Sequence, residues 1–198
     1  MVAILAVLAL ITLPNFLAAQ TRAKVSATQV NIRTIKAALE IYRLDNGVYP
    51  ATDPILGRDP LGVLADAQLR VMTSPVAYLS PAAFRDPFGR VRNQMLVPQL
   101  FTEIVVPNVG LSLLYVHYPS FAVLTENPYV RVDGSAIVSL GPDLYDSFGV
   151  FGPFPPEAMP SLGRSTGRSA PINTVYDPTN GAVSSGDITG FVGDPRLR

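Results

Sequence analysis

The sequence predicts an α+β chain: a long N-terminal α-helix carrying a head with a small antiparallel β-sheet and long C-terminal loops. Three observations lead there. Residues 1–19 are uncharged and almost wholly apolar. Residues 21–45 contain neither Gly nor Pro and repeat their apolar positions with a helical period. Beyond residue 50, short apolar runs alternate with Pro, Gly and Asp, the punctuation of strands and turns.

In residues 1–19, MVAILAVLALITLPNFLAA, only Thr12 and Asn15 are polar, and the first charge is Arg22. As a helix this run is about 28 Å long, close to the hydrocarbon thickness of a bilayer. Three readings fit it. A cleaved secretory signal lacks its basic n-region here, and Leu17-Ala18-Ala19 puts Leu where a small residue belongs. A plain membrane anchor is the second. The third is an anchor that also leaves the membrane and packs against copies of itself. Pro14 predicts a kink or an unwound turn.

The next segment continues the helix. Val25, Ile32 and Leu39 recur every seven residues, Ile35 and Tyr42 fill alternate positions, and Thr28 is the weak member. Ala23, Ala27, Val30, Ala38 and Ile41 are expected to widen this stripe on one flank. Asn46-Gly47 supplies the stop and Pro50 follows. The chain thus divides into an apolar helix half (1–20), an amphipathic half (21–46) and a head (47–198). A helix of roughly 45 residues, about 67 Å, outreaches such a head. The amphipathic half is expected to pack on the head through Val25, Ile32, Ile35, Leu39 and Tyr42, and the apolar half to project.

These residues resemble the N-terminal helix of type IV pilin-like proteins, most nearly the major pseudopilins of type II secretion systems. The likeness lies in Leu13-Pro14-Asn15-Phe16, in Ala19-Gln20-Thr21-Arg22-Ala23-Lys24-Val25, and in Tyr42, Asp45, Asn46, Tyr49 and Pro50. It extends to Arg85-Asp86-Pro87-Phe88-Gly89 and Ser139-Leu140-Gly141-Pro142-Asp143. Tyr176-Asp177-Pro178-Thr179-Asn180-Gly181 with Ser185-Gly186-Asp187-Ile188 also fits. The resemblance implies a non-enzymatic subunit of a pilus-like or pseudopilus filament. Such a subunit sits in the inner membrane before assembly and in a periplasmic or extracellular filament afterwards. Its partners are copies of itself, inner-membrane lipid and the pilus or secretion assembly machinery. Ile4, Leu5, Leu8, Ile11, Leu13, Pro14 and Phe16 are then the expected filament-assembly residues. The family's basic leader, cleavage-site Gly, aromatic and early Glu are not in this sequence, whose first acidic residue is Glu40. A start upstream of Met1 is the expected explanation, and leader cleavage and N-methylation are implied only by the family.

In the head, strands are expected at 94–102, 111–118, 130–132 and 136–140, with Asp133-Gly134 as a two-residue hairpin turn. A short helix is expected near 61–71. Residues 141–187, rich in Pro, are expected to be loop.

Composition removes many activities. The chain has 198 residues, 15 basic and 15 acidic, so it lacks the basic excess of a nucleic-acid binder. No Cys and one His leave no thiolate chemistry and little for imidazole. Gly163-Arg164-Ser165-Thr166-Gly167 spells G-x-S-x-G, but no His follows it and a Pro-rich stretch precedes it. His117 is expected to be a packed or surface strand residue. Asp143 and Asp146 as a glycosidase pair lack a framing element. Asp143, Asp146 and Asp187, in loops with many carbonyls, suit Ca²⁺ in donor type, and calcium in the loop after the hairpin is what the resemblance implies. The rival reading is that these carboxylates cap turns. The alternative function is a monomeric, membrane-anchored extracytoplasmic binding module, or a minor or tip pseudopilin.

Overall fold

A computed structural model describes residues 2–51, 68–89, 112–120, 133–143, 175–180, 184 and 186–194; the side chains of 2–9, 11, 133, 180 and 194 lie outside that description. The expected strand at 94–102, the Gly163–Gly167 motif and Asp146 fall outside the described residues, as do 61–67 of the expected short helix and the run 130–132.

Helix α1 spans Val2–Asn46 and stays α-helical through Pro14, with no unwound turn. A proline inside a helix removes one i→i−4 bond; the turns on either side keep theirs. The helix stops where expected. Gly47 takes φ 78°, a conformation that costs glycine nothing. Its N–H donates to the Arg43 carbonyl at 2.7 Å, and Asn46 Nδ2 donates to the Tyr42 carbonyl at 2.9 Å.

Three strands form one antiparallel sheet in the order β1-β2-β3: β1 Leu114–His117, β2 Asp133–Ser139 and β3 Ile188–Asp194. Tyr115 pairs with Ile137, and Ile137 with Gly190, so these three form a row across the sheet. One expectation is corrected. Asp133-Gly134 is no hairpin turn but the start of β2, paired with Asp194 and Gly193. The glycine is required for close strand approach, because a Cβ on Gly134 would collide with the Val192 carbonyl oxygen. β3 begins just past the expected loop 141–187, and its two glycines disguise the strand that Ile188 and Val192 belong to.

The core lies between α1 and the sheet. Val25, Ile32, Ile35, Ala38 and Leu39 meet Tyr115, Ile137, Ile188 and Val192, closed at the sides by Met72, Phe84 and Phe88. A short 3₁₀ turn at Pro81–Phe84 carries Phe84 into this core, with Ser80 as its N-cap. Another at Arg70–Met72 brings in Met72.

Candidate functional site

The surface that matters most is α1 itself. Val25, Ile32, Ile35 and Leu39 are buried against the head, and Tyr42 is half-buried with its ring edge-on to Tyr78 at 5.5 Å. Thr28 is also fully buried, because its hydroxyl donates to the Lys24 carbonyl at 3.0 Å and leaves no polar atom unsatisfied. The expected widening of the stripe is corrected. Ala38 is buried, but Ala23, Ala27, Val30 and Ile41 are exposed. They stand two residues from stripe positions, about 200° round a helix, and so occupy the opposite face.

Of the filament-assembly residues, Leu13, Pro14 and Phe16 are exposed on α1. Ile4, Leu5, Leu8 and Ile11 lie on the same helix, with side chains outside the description. Among the described residues, no helix is long and apolar enough to cross a membrane.

The helix end is locked by the motif residues. Tyr78 donates its hydroxyl to Asp45 Oδ2 at 2.9 Å. Tyr49 donates to Glu40 Oε1 at 2.9 Å and accepts from an Arg43 guanidinium N–H at 3.1 Å, with that guanidinium 4.9 Å over its ring. Burial, and then the bond to Glu40, push the Tyr49 phenol up to about 12, with Arg43 opposing. The Pro50 carbonyl accepts from Tyr115 at 2.7 Å, tying the chain after α1 to β1.

A second anchor escapes sequence reading. Asp86 Oδ1 accepts from the Phe88 N–H at 2.9 Å. Its carboxylate also receives hydrogen bonds from the Ser139 hydroxyl and the Leu140 N–H, at the end of β2. Burial raises its pKa, opposed by those bonds and by the Lys24 charge. Asn31 Nδ2 donates to the Arg85 carbonyl at 3.0 Å, and the Lys24 ammonium lies 5.9 Å from the Phe88 ring. The turn is therefore clamped between α1 and β2. Only its Asp-Pro-Phe-Gly spelling signalled it.

Of the three aspartates expected to suit calcium, two come together. Asp143 Oδ2 accepts from the Gly186 N–H at 2.9 Å, next to the buried Asp187. Gly141, at φ 69°, lies against the same place, since a Cβ there would come within 2.7 Å of the Gly186 carbonyl oxygen. The donors are oxygens, as calcium requires, and a buried carboxylate gains from a nearby cation. Among the described residues, no group of three or more acidic or His side chains converges. Asp177 caps its own turn, with Oδ1 accepting from the Thr179 N–H at 2.8 Å and hydroxyl at 2.7 Å. These bonds lower its pKa. His117 is buried on β1, its Nδ1 2.8 Å from Ser120 Oγ.

Comparison with known proteins accords with this architecture. Residues 15–99 match the family model of type II secretion system (T2SS) protein G. A stretch of 51 residues is 41% identical to the type II secretion system core protein G of Pseudomonas aeruginosa. That stretch covers 26% of this chain and 36% of that relative's length. No solved structure matches. Over residues 15–99, then, the chain is similar in sequence to type II secretion system protein G.

Proposed function

We propose that the protein is a structural subunit of a type II secretion-type pseudopilus or a related pilus-like filament, polymerising through α1. One observation carries this reading. The head covers only one face of the amphipathic half of α1, and the helix continues with exposed apolar side chains such as Leu13 and Phe16. Burying such a surface is worth roughly 25 cal/mol per Å², so neighbours or lipid must cover it. In this reading residues 1–19 sit in the inner membrane before assembly and move into the core of a polymer with the heads outside. Contacts that repeat head to tail without closing generate such a filament. Assembly then needs many copies and a machine that extracts the helix from lipid. The filament stands in the periplasm or outside the cell, and the subunit performs no catalysis.

Calcium enters the same proposal. Asp143 and Asp187, with nearby backbone carbonyls, would hold the ion, which would supply charge neutralisation and fasten the turn after β2 to the start of β3.

The test is electron microscopy of filaments sheared from cells producing the full chain. The wild type is expected to yield filaments, and Leu8→Lys is expected to yield none while its monomer accumulates in membranes. Wild-type cells without filaments would instead favour the monomeric binding module.

A further inference from the structure

Asp86 reaches well past its own turn. Its carboxylate receives hydrogen bonds from the Ser139 hydroxyl and the Leu140 N–H, two successive residues at the end of β2. Ser139 carries the contact further. Its Oγ accepts from the Gly141 N–H at 3.2 Å, and its partner across the sheet is Ile188, the neighbour of Asp187. Gly141, at φ 69°, lies against the Gly186 carbonyl. Two residues on, Asp143 Oδ2 accepts from the Gly186 N–H at 2.9 Å. A continuous set of contacts therefore runs from Asp86 through Ser139 and Gly141 to the turn that carries Asp143 and the start of β3 beside Asp187. Asp86 is not a third member of that pair, because among the described residues no group of three acidic or His side chains converges.

Resting on the calcium reading above, we infer that Asp86 is a positioning residue for that ion, setting the turn that carries Asp143 against the backbone at Gly186 and Asp187. A loop that must order itself at the moment of binding loses affinity, and hydrogen bonds that order it beforehand restore it. The residue type fits the task. A carboxylate only accepts, so it meets the Phe88 N–H, the Ser139 hydroxyl and the Leu140 N–H together. An amide of the same shape has one acceptor oxygen with two lone pairs, so at least one of these three donors would lose its partner.

The test is calorimetric titration of CaCl₂ into the detergent-solubilised full chain. Asp86→Asn is expected to weaken calcium binding about 10- to 100-fold, the usual effect of losing a group that orients a ligand. Ser139→Ala cuts the link to Gly141 and is expected to act alike, and the double variant to lose much less than the product of the two. Asn31→Ala removes the bond to the Arg85 carbonyl and so loosens the same turn from α1, while leaving the bonds of Asp86 in place. Its calcium affinity is expected to match the wild type. Should Asp86→Asn fail to fold, the wild type still answers. Calcium is expected to slow hydrogen exchange at the Phe88 and Leu140 amides and to leave the Gly47 amide, bonded to the Arg43 carbonyl, unchanged. Wild-type affinity in Asp86→Asn, equal weakening by Asn31→Ala, or unchanged exchange at Phe88 and Leu140 would each overturn the inference while leaving calcium at Asp143. A wild type that binds no calcium would overturn the calcium reading itself, and the inference with it.

Discussion

Ile32 of α1 lies directly over Gly190 of β3, so closely that a Cβ on the glycine would collide with the Ile32 Cγ2 methyl. The Lys36 stem flanks the same point, with its Cδ 3.1 Å from the place a Cβ would take. The helix can lie this near the sheet because one residue of the row Tyr115, Ile137, Gly190 has no side chain.

Gly190→Ala is therefore expected to force helix and sheet apart and to destabilise the fold by about 1–3 kcal/mol, the usual cost of overpacking. Urea unfolding of the detergent-solubilised full chain checks this. Ile32→Ala in the same chain removes the colliding methyl, so the double variant is expected to lose less than the two single losses added. Strict additivity would contradict the contact.

The Asp86 clamp makes a pH-dependent prediction. Its folded pKa is raised, chiefly by burial. Protonation therefore favours the folded state. That contribution is fully present below the unfolded value and is lost as pH rises through the folded one. Measured against Asp86→Asn, the wild type is expected to lose relative stability as pH rises above the ordinary carboxylate range. A difference that stays flat or grows with pH would contradict it.

Tyr49→Phe removes the bonds to Glu40 and Arg43 and is expected to cost about 0.5–1.5 kcal/mol. It also removes a phenol that titrates at about 12 in the folded protein. Tyr78, Tyr115 and Tyr118 are shifted upward too, so spectrophotometric titration is expected to show one late-ionising tyrosine fewer in the variant than in the wild type.

Much of this architecture was legible in the sequence, because periodicity reports burial. The heptad stripe of Val25, Ile32, Ile35 and Leu39, the Asn46-Gly47 stop and the β1 segment of the 111–118 run all follow from local pattern. What misled was glycine. Asp133-Gly134 reads as a hairpin turn, yet Gly134 is there for a close approach by Val192 across the sheet. β3 was missed because Gly190 and Gly193 interrupt its alternation, and Gly190 is fixed by Ile32, a residue 158 positions away in sequence. Ala23, Ala27, Val30 and Ile41 read as a flank of the buried stripe for a different reason. Both faces are apolar, and only the head's position tells them apart. The role of Asp86 depends on Ser139 and Leu140, which no local spacing reveals.

If Asp143 and Asp187 hold calcium, millimolar CaCl₂ is expected to raise the melting temperature of the wild type. A hundredfold excess over the dissociation constant corresponds to about 2.7 kcal/mol. Asp143→Ala is expected to abolish the shift, and MgCl₂ to give little. An equal shift in the variant would remove the aspartate from the site.

The most direct test of a filament built on α1 is thiol labelling of the assembled polymer, using two single-cysteine chains. Cysteine at Leu13 is expected to resist a water-soluble maleimide in sheared filaments, because the helix is in the core. Cysteine at Thr179, exposed on the head, is expected to react fully. Equal, rapid labelling at both positions would contradict a polymer with its helices inside and its heads outside.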